Sequence, residues 1–289
     1  MQLTKFQEQV FFATVRITLP DSSGTGASIG TGFIYRVPIV PGKDVLLLIS
    51  NRHVYGDANN PIHLVFHRQD DSDPNRPDLG KSVQLSGTQF DSIYTGHPDS
   101  DIDLACINIS PIGHNDPPIF HKHISETLLP DFDHEDLLPG NEVWFVGYPA
   151  NRFDTKHNLP VLRRGYIASI PKVDFEGREE FLIDAQVFPG SSGSPVFTAI
   201  GGKFRLVGVV TQTMIKNEKL QAIPTAVSYG VQQTIGLGIV LKASLIPPLI
   251  EAATGKIREE LKANSDEPTL DQTGEQDAAE QPATAGESE

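Results

Sequence analysis

The chain has 289 residues, enough for one large β domain or two ordinary ones. With 38% hydrophobic, 21% charged and 8% aromatic residues it has the composition of a globular protein, which excludes collagen-like, coiled-coil and wholly disordered classes. Its 23 Lys and Arg against 37 Asp and Glu leave a net charge of −14, the wrong sign for binding nucleic acid by phosphate neutralisation or for adhering to an anionic membrane.

The N-terminal segment MQLTKFQEQVFFATVRITLP contains no apolar stretch of secretory length followed by a small-residue cleavage site, so no signal peptide is expected. Apolar runs such as VLLLI at 45–49 fall far short of the roughly 20 residues that cross a bilayer. A cytoplasmic location with no membrane partner is the expectation. Short β-branched and aromatic stretches separated by Gly, Pro and Asp turns then fill most of the chain, with strands predicted at 9–19, 29–37, 44–50, 61–67, 102–109, 142–147, 160–170, 180–186, 194–199, 203–212 and 236–241. Eleven short strands suit two packed β-barrels better than one sheet. The Asp- and Pro-rich segment 67–81 is expected to be a solvated loop.

The polar stretch at about 111–141 is expected to connect barrel one (about 9–110) to barrel two (about 142–242). After Pro247-Pro248, the residues Leu249, Ile250, Ala253, Ile257 and Leu261 fall near helical spacing, predicting a helix at about 247–262 with proline tolerated in its first turn. Residues 1–262 would form the folded domain. Residues 263–289 hold eight of the acids and no Lys or Arg; with almost no large apolar side chains they are expected to be a disordered acidic tail.

Three segments carry chemistry. PGSSGSPVF at 189–197 sets Ser192 between Gly190 and Gly193, a loop whose small residues let backbone amides turn towards one point. Acyl transfer builds negative charge on a carbonyl oxygen, and amides about 2.7–3.1 Å away stabilise it; Gly190 and Ser192 are the candidate donors. LLLISNRHVYG places His53 directly after an apolar strand, and a serine hydroxyl needs such a neutral imidazole as general base. SDIDLACINIS sets Asp103 at the start of an apolar strand, where a carboxylate needs a hydrogen-bond partner. A histidine N–H is such a partner, and the carboxylate would fix its tautomer. Singly, each segment has a plainer reading: a flexible turn, a surface histidine, a turn aspartate. Their weight lies in the order His, Asp, Ser at separations of 50 and 89 residues inside an all-β pattern.

The sequence resembles the trypsin-like (chymotrypsin-fold) serine proteases, nearest to the bacterial Deg-type and glutamyl-endopeptidase-like branches but without room for a PDZ domain. The resemblance rests on GTGFIY (30–35), ISNRHV (49–54), DIDLA (101–105), VGYP (146–149), RGYIASI (164–170), IDAQVFPGSSGSPVF (183–197), LVGVVTQT (206–213) and GLGIVL (236–241). It implies an all-β fold of two packed six-stranded Greek-key barrels closed by the C-terminal α-helix. It carries over His53, Asp103 and Ser192 as catalytic triad, and the Gly190 and Ser192 amides as oxyanion hole. Asp103 is preferred to Asp99 and Asp101 because the family's aspartate directly precedes a Leu/Ile-Ala pair, here Leu104-Ala105. Ser191 stands where digestive relatives have the aspartate that pairs with a newly cut N-terminus, so that maturation is not expected. Alignment places the substrate pocket at Gln186, Thr211, Gln212 and Thr213, with no carboxylate to attract Lys or Arg, and an uncharged or small side chain is expected before the cut.

Other features are plainer. His114, His121, His123 and His134 lie near several acids at irregular spacing, so no metal or other cofactor is expected. Cys106, the single cysteine, cannot form an intramolecular disulfide and reads as a buried small hydrophobe in a reducing compartment. Trp144 reads as core. The expected function is a serine endopeptidase acting on protein or peptide substrates through an acyl-enzyme, with no nucleic-acid partner and oligomeric state unassigned. The alternatives are a catalytically silent binding module on the same fold and a small-ester hydrolase.

Overall fold

The computed structural model describes residues 2–20, 27–221 and 228–265. The chain opens with α1 (Phe6–Ala13), followed by β1 (Thr14–Pro20), β2 (Ala27–Val40) and β3 (Lys43–Ser50). A single helical turn, α2 (Arg52–Tyr55), leads to β4 (Ile62–Asp70) and β5 (Asp73–Gly87), then β6 (Tyr94–Gly96) and β7 (Ala105–Asn108). Two-residue strands β8 (Ile119–Phe120) and β9 (Ile124–Ser125) precede β10 (Glu142–Gly147), β11 (Val161–Ile167), β12 (Glu180–Asp184), β13 (Pro195–Ile200), β14 (Lys203–Gln221) and β15 (Ser228–Lys242). The last element, α3 (Ile246–Ser265), begins in the compact unit that ends at Gly255 and continues into a second unit from Lys256. Among the described residues, no helix is long and apolar enough to cross a membrane.

The architecture is the all-β, two-barrel class expected. The second half is a closed barrel in the order β10-β11-β12-β15-β14-β13, and the first half is a nine-stranded sheet in the order β5-β4-β1-β2-β3-β7-β6, with β8 on β4 and β9 on β2. Alternation builds each core. In β10, Val143 and Phe145 enter the barrel-two core with Phe181, Ile183, Val196 and Val240. The first sheet, nine strands where six were expected, packs over Val15, Ile17, Ile34, Leu48, Leu64 and Phe66.

Several elements differ from expectation. The run predicted as strand 9–19 is helix to Ala13 and strand only from Thr14; its buried residues Val10, Phe12 and Ala13 lie on different sides of the helix rather than on one stripe. The expected loop 67–81 is a β-hairpin, β4–β5, with Gln69 opposite Pro77 and Asp70 opposite Asp73. β5 is the sheet's edge strand, where a proline's missing N–H costs no ladder bond. Arg68 ties the hairpin to Asp71 and Asp78 at 2.7 and 3.0 Å. The stretch 111–141 does more than connect: β8 and β9 extend the first sheet and Leu137 joins the second core. Trp144 lies outside that core, its ring 4.8 Å from Phe204 and its N–H donated to Glu142. The strands predicted at 203–212 and 236–241 continue as a ribbon to the pair Gln221–Ser228. Of the expected tail, residues 266–289 lie outside the described residues.

Candidate active site

β3 delivers His53. The apolar run Leu47, Leu48 and Ile49 is buried, and the chain turns at once into α2, which ends at Gly56 with φ +60°, a left-handed conformation that glycine adopts without strain. Three consecutive residues of this turn hold the segment leading to β7. The Asn51 side-chain amide donates to the Asp103 carbonyl (2.9 Å), Arg52 Nη2 donates to the His97 carbonyl (3.1 Å), and the His53 backbone N–H donates to Asp103 Oδ1 (3.0 Å). The His53 ring then meets the other carboxylate oxygen, Nδ1 to Oδ2, at 2.6 Å. The Asp99 carboxylate instead accepts from the Asp101 N–H at 2.9 Å.

Burial opposes ionisation of Asp103, but the side-chain and backbone hydrogen bonds from His53, its charge, and a bond from Thr211 outweigh it and hold the carboxyl below its ordinary range. The Asp103 side chain is 26% exposed and that of His53 49%, so the imidazole's outer edge faces the surface while the carboxylate sits behind it.

Ser192 comes from the other half. Its loop demands glycines: Gly190 and Gly193 have φ of +89° and +85°. A Cβ on Gly190 would lie 2.4 Å from the Tyr148 carbonyl oxygen, and one on Gly193 1.9 Å from that of Thr31. The Gly193 N–H donates to the Val210 carbonyl (2.8 Å) and the Val210 N–H to Ser194 (3.0 Å), anchoring the loop to β14. Among the described residues, the amides of Gly190 and Ser192 donate to no protein acceptor; they are free to receive an anionic oxygen. The Ser192 hydroxyl donates to the Thr211 carbonyl at 3.0 Å, and among the described residues it makes no hydrogen bond to His53. Ser191 and Ser194 are both buried.

Thr211, aligned with the substrate pocket, has another task. It is the extra residue of a β-bulge between the pairs Val210–Val240 and Gln212–Ile239, a device that re-aims a side chain. Its buried hydroxyl donates to Asp103 Oδ2 at 2.8 Å, so one residue grips the carboxylate with its side chain and Ser192 with its carbonyl. Of the other pocket residues, Gln186 and Gln212 are exposed. Thr213 pairs with Gly238, where a Cβ would sit 2.5 Å from Val187. This brings Thr213 and the Gln186–Val187 segment to one wall. The Gln186 carbonyl accepts from Arg163 at 2.5 Å, whose guanidinium lies 4.9 Å from the Phe188 ring centroid.

Thr31 is the residue that sequence reasoning passed over. Wholly buried on β2, its hydroxyl donates to the Gly190 carbonyl (2.7 Å) and accepts from the Tyr148 N–H (3.1 Å). Its backbone N–H donates to the Ser192 carbonyl (2.9 Å), and its own carbonyl accepts from Ser50 Oγ (2.6 Å). One threonine thus ties the half that carries His53 to both ends of the Gly190–Ser192 segment. Its only mark in the sequence is its place between two glycines in GTGF.

The histidines of 111–141 do not converge. His121 and His123 have ring centroids 6.3 Å apart, His134 lies 3.9 Å from Asp136, and among the described residues no three His, Cys, Asp or Glu side chains are grouped to hold a metal ion. Cys106 is buried, and burial pushes its thiol up to about 12.

Residues 30–209 match the trypsin-like peptidase domain. The chain belongs to that family. This trypsin-like peptidase domain is 26% identical over 187 residues to the glutamyl endopeptidase of Staphylococcus epidermidis, covering 63% of this chain and 55% of that protein. It therefore spans little more than half the length of that relative. Among solved structures it is similar to the serine endoprotease from Yersinia pestis, at 16% identity and TM-score 0.49 over 89% of this chain and 70% of that one. It is also similar to the tobacco vein mottling virus protease, at 12% identity and TM-score 0.48 over 84% and 82%.

Proposed function

We propose that this domain is a serine endopeptidase. The observation that carries the reading is the 2.6 Å contact between His53 Nδ1 and Asp103 Oδ2, facing a glycine-framed serine loop. Ser192 Oγ attacks a peptide carbonyl as His53 Nε2 takes its proton, and the Gly190 and Ser192 amides receive the oxyanion. Asp103 holds His53 in the tautomer with the proton on Nδ1 and stabilises the imidazolium. His53 then protonates the leaving amine, and water, deprotonated by the same imidazole, hydrolyses the acyl-enzyme. Before substrate arrives the Ser192 hydroxyl rests on the Thr211 carbonyl; catalytic hydrogen bonds commonly tighten only in the substrate complex.

The substrates are proteins or peptides. The aligned pocket residues Gln186, Thr211, Gln212 and Thr213 include no carboxylate, which supports an uncharged or small residue before the cut rather than Lys or Arg.

That resting hydroxyl bond is also the one observation favouring a silent protease-fold module. Labelling with a fluorophosphonate separates the two readings: stoichiometric adduct on the wild type, absent from Ser192→Ala and His53→Ala, supports the peptidase, and a folded wild type that stays unlabelled refutes it. A protein that is labelled and cleaves nitrophenyl esters, yet cuts no member of a diverse peptide library, is an esterase instead.

A further inference from the structure

We propose that α1 is a tie between the two barrels and that Phe6 and Phe12 are positioning residues for the groups those barrels carry. The inference rests on the serine-peptidase reading above for its catalytic consequence, though not for its geometry. Phe6, at one end of the helix, inserts into the outer aromatic face of barrel two. Its ring is edge-on to Phe197 of β13 at 5.0 Å and stacked on Phe204 of β14 at 5.1 Å. Phe12, near the other end, packs on the first sheet, 4.7 Å from His67 of β4 and 5.4 Å from Phe120 of β8. The Phe12 carbonyl also accepts from the Lys122 N–H at 3.0 Å, and the helix runs directly into β1.

Two points of attachment matter because the catalytic groups are divided. His53 and Asp103 come from the first sheet, Ser192 and its amide donors from barrel two. Thr31 and Thr211 both join the halves at the serine loop; α1 adds an attachment at another point of the seam and resists rotation about that junction. Next to the helix the seam is only partly packed, Phe12 and Phe120 clustering with Phe11 and Leu159. A cavity of about 280 Å³ opens there, lined by Glu8, Phe11 and Phe12 of α1, Leu79 of β5, and Leu159 and Leu162 from the second half. With that space unpacked, the aromatic ends of α1 hold the join at this point.

The test uses the full chain with Ile93→Cys and Val173→Cys, both exposed, nitroxide-labelled to report the distance between the halves; Cys106 is buried and stays unlabelled. In the parent, pulsed electron–electron double resonance gives one narrow distance distribution. Phe6→Ala broadens it and slows fluorophosphonate capture of Ser192 by about ten- to a hundredfold, the upper figure being the cost of a misplacement of about 1 Å, lowering kcat more than it raises KM; Phe6→Tyr, which keeps the ring, restores both. If Phe6→Ala fails to fold, Phe12→Leu is read in the same way. An unchanged distance distribution in the folded variant overturns the tie, whether or not capture slows. A broadened distribution in a protein whose parent is never captured keeps the tie and overturns the peptidase reading.

Discussion

Replacing Thr31 by valine keeps the β-branched shape of a wholly buried side chain and deletes its hydroxyl. Two backbone groups lose their partner, the Gly190 carbonyl at 2.7 Å and the Tyr148 N–H at 3.1 Å. Each buried group left unsatisfied costs about 1–3 kcal/mol, so the two together cost roughly 2–6 kcal/mol, with about 4 as a central value. The other bonds of the hub, Thr31 N–H to the Ser192 carbonyl and Ser50 Oγ to the Thr31 carbonyl, survive the change. For a urea m-value of about 3 kcal/mol/M, the unfolding midpoint falls by about 1.3 M. Loss of the brace on Gly190 also releases one end of the segment carrying both candidate oxyanion amides. Because removal of a whole oxyanion donor costs about 10²–10³ in kcat, a misaligned one is expected to lower kcat by about tenfold with KM little changed. Thr31→Ser is the control: it keeps both hydrogen bonds and loses one methyl, costing about 1 kcal/mol. If valine and serine variants unfold at the same urea concentration and turn over at the same rate, the hydroxyl is not holding the loop and the reasoning fails.

Asp103→Asn keeps the shape but offers His53 the wrong partner, and kcat should fall by about 10³–10⁴-fold in a protein that still folds; steady-state kinetics on a peptide ester decide it, a loss below tenfold being the contrary result. Thr211→Val removes the hydroxyl that donates to Asp103 Oδ2 while leaving the carbonyl that Ser192 uses, so kcat/KM should drop by about 10- to 150-fold, from the roughly 1.5–3 kcal/mol typical of a bond to a charged group. An equal loss of affinity for peptides of every length, with kcat intact, would return Thr211 to the substrate pocket. His67 is 4% exposed with neither ring nitrogen bonded, and burial lowers its pKa from 6.5 to about 4. The unfolded chain therefore binds the extra proton first: this contribution is complete above pH 6.5 and is lost as pH falls towards 4, amounting to about 3 kcal/mol. Urea melts of His67→Phe should show a flatter pH dependence over that window, and parallel curves for variant and wild type would contradict the assignment.

The parts of this molecule that were legible in its sequence are those where chemistry restricts the residue type. An acyl-transfer site needs a hydroxyl, an imidazole and a carboxylate, and glycines where the loop backbone has positive φ, so Ser192, His53, Asp103, Gly190 and Gly193 stand out among neighbours that could be many things. Strict alternation, as in β10, was legible for the same reason: a barrel strand with one wet face tolerates few other patterns. The run FQEQVFFATVRI hid a helix because its contiguous apolar residues serve different surfaces, Phe6 one barrel and Phe12 the other, so neither strand nor helix period is clean. Pro74 and Pro77 read as loop because nothing in the local sequence says that β5 lies at a sheet edge.

Thr31 and Thr211 were illegible for a deeper reason. The Thr31 hydroxyl bonds to the backbone carbonyl of Gly190, the Thr211 backbone carbonyl accepts from the Ser192 hydroxyl, and the Thr211 hydroxyl donates to a carboxylate more than a hundred positions away. A carbonyl is carried by every residue, so it leaves no trace in residue type. What turns an ordinary threonine into a catalytic support is its address in the fold: β2 crossing behind the serine loop in one case, a bulge in β14 in the other. The candidate chemical groups can thus be picked out along the chain, whereas the threonine contacts of 2.7–3.0 Å that support them become readable only when the two barrels are brought together.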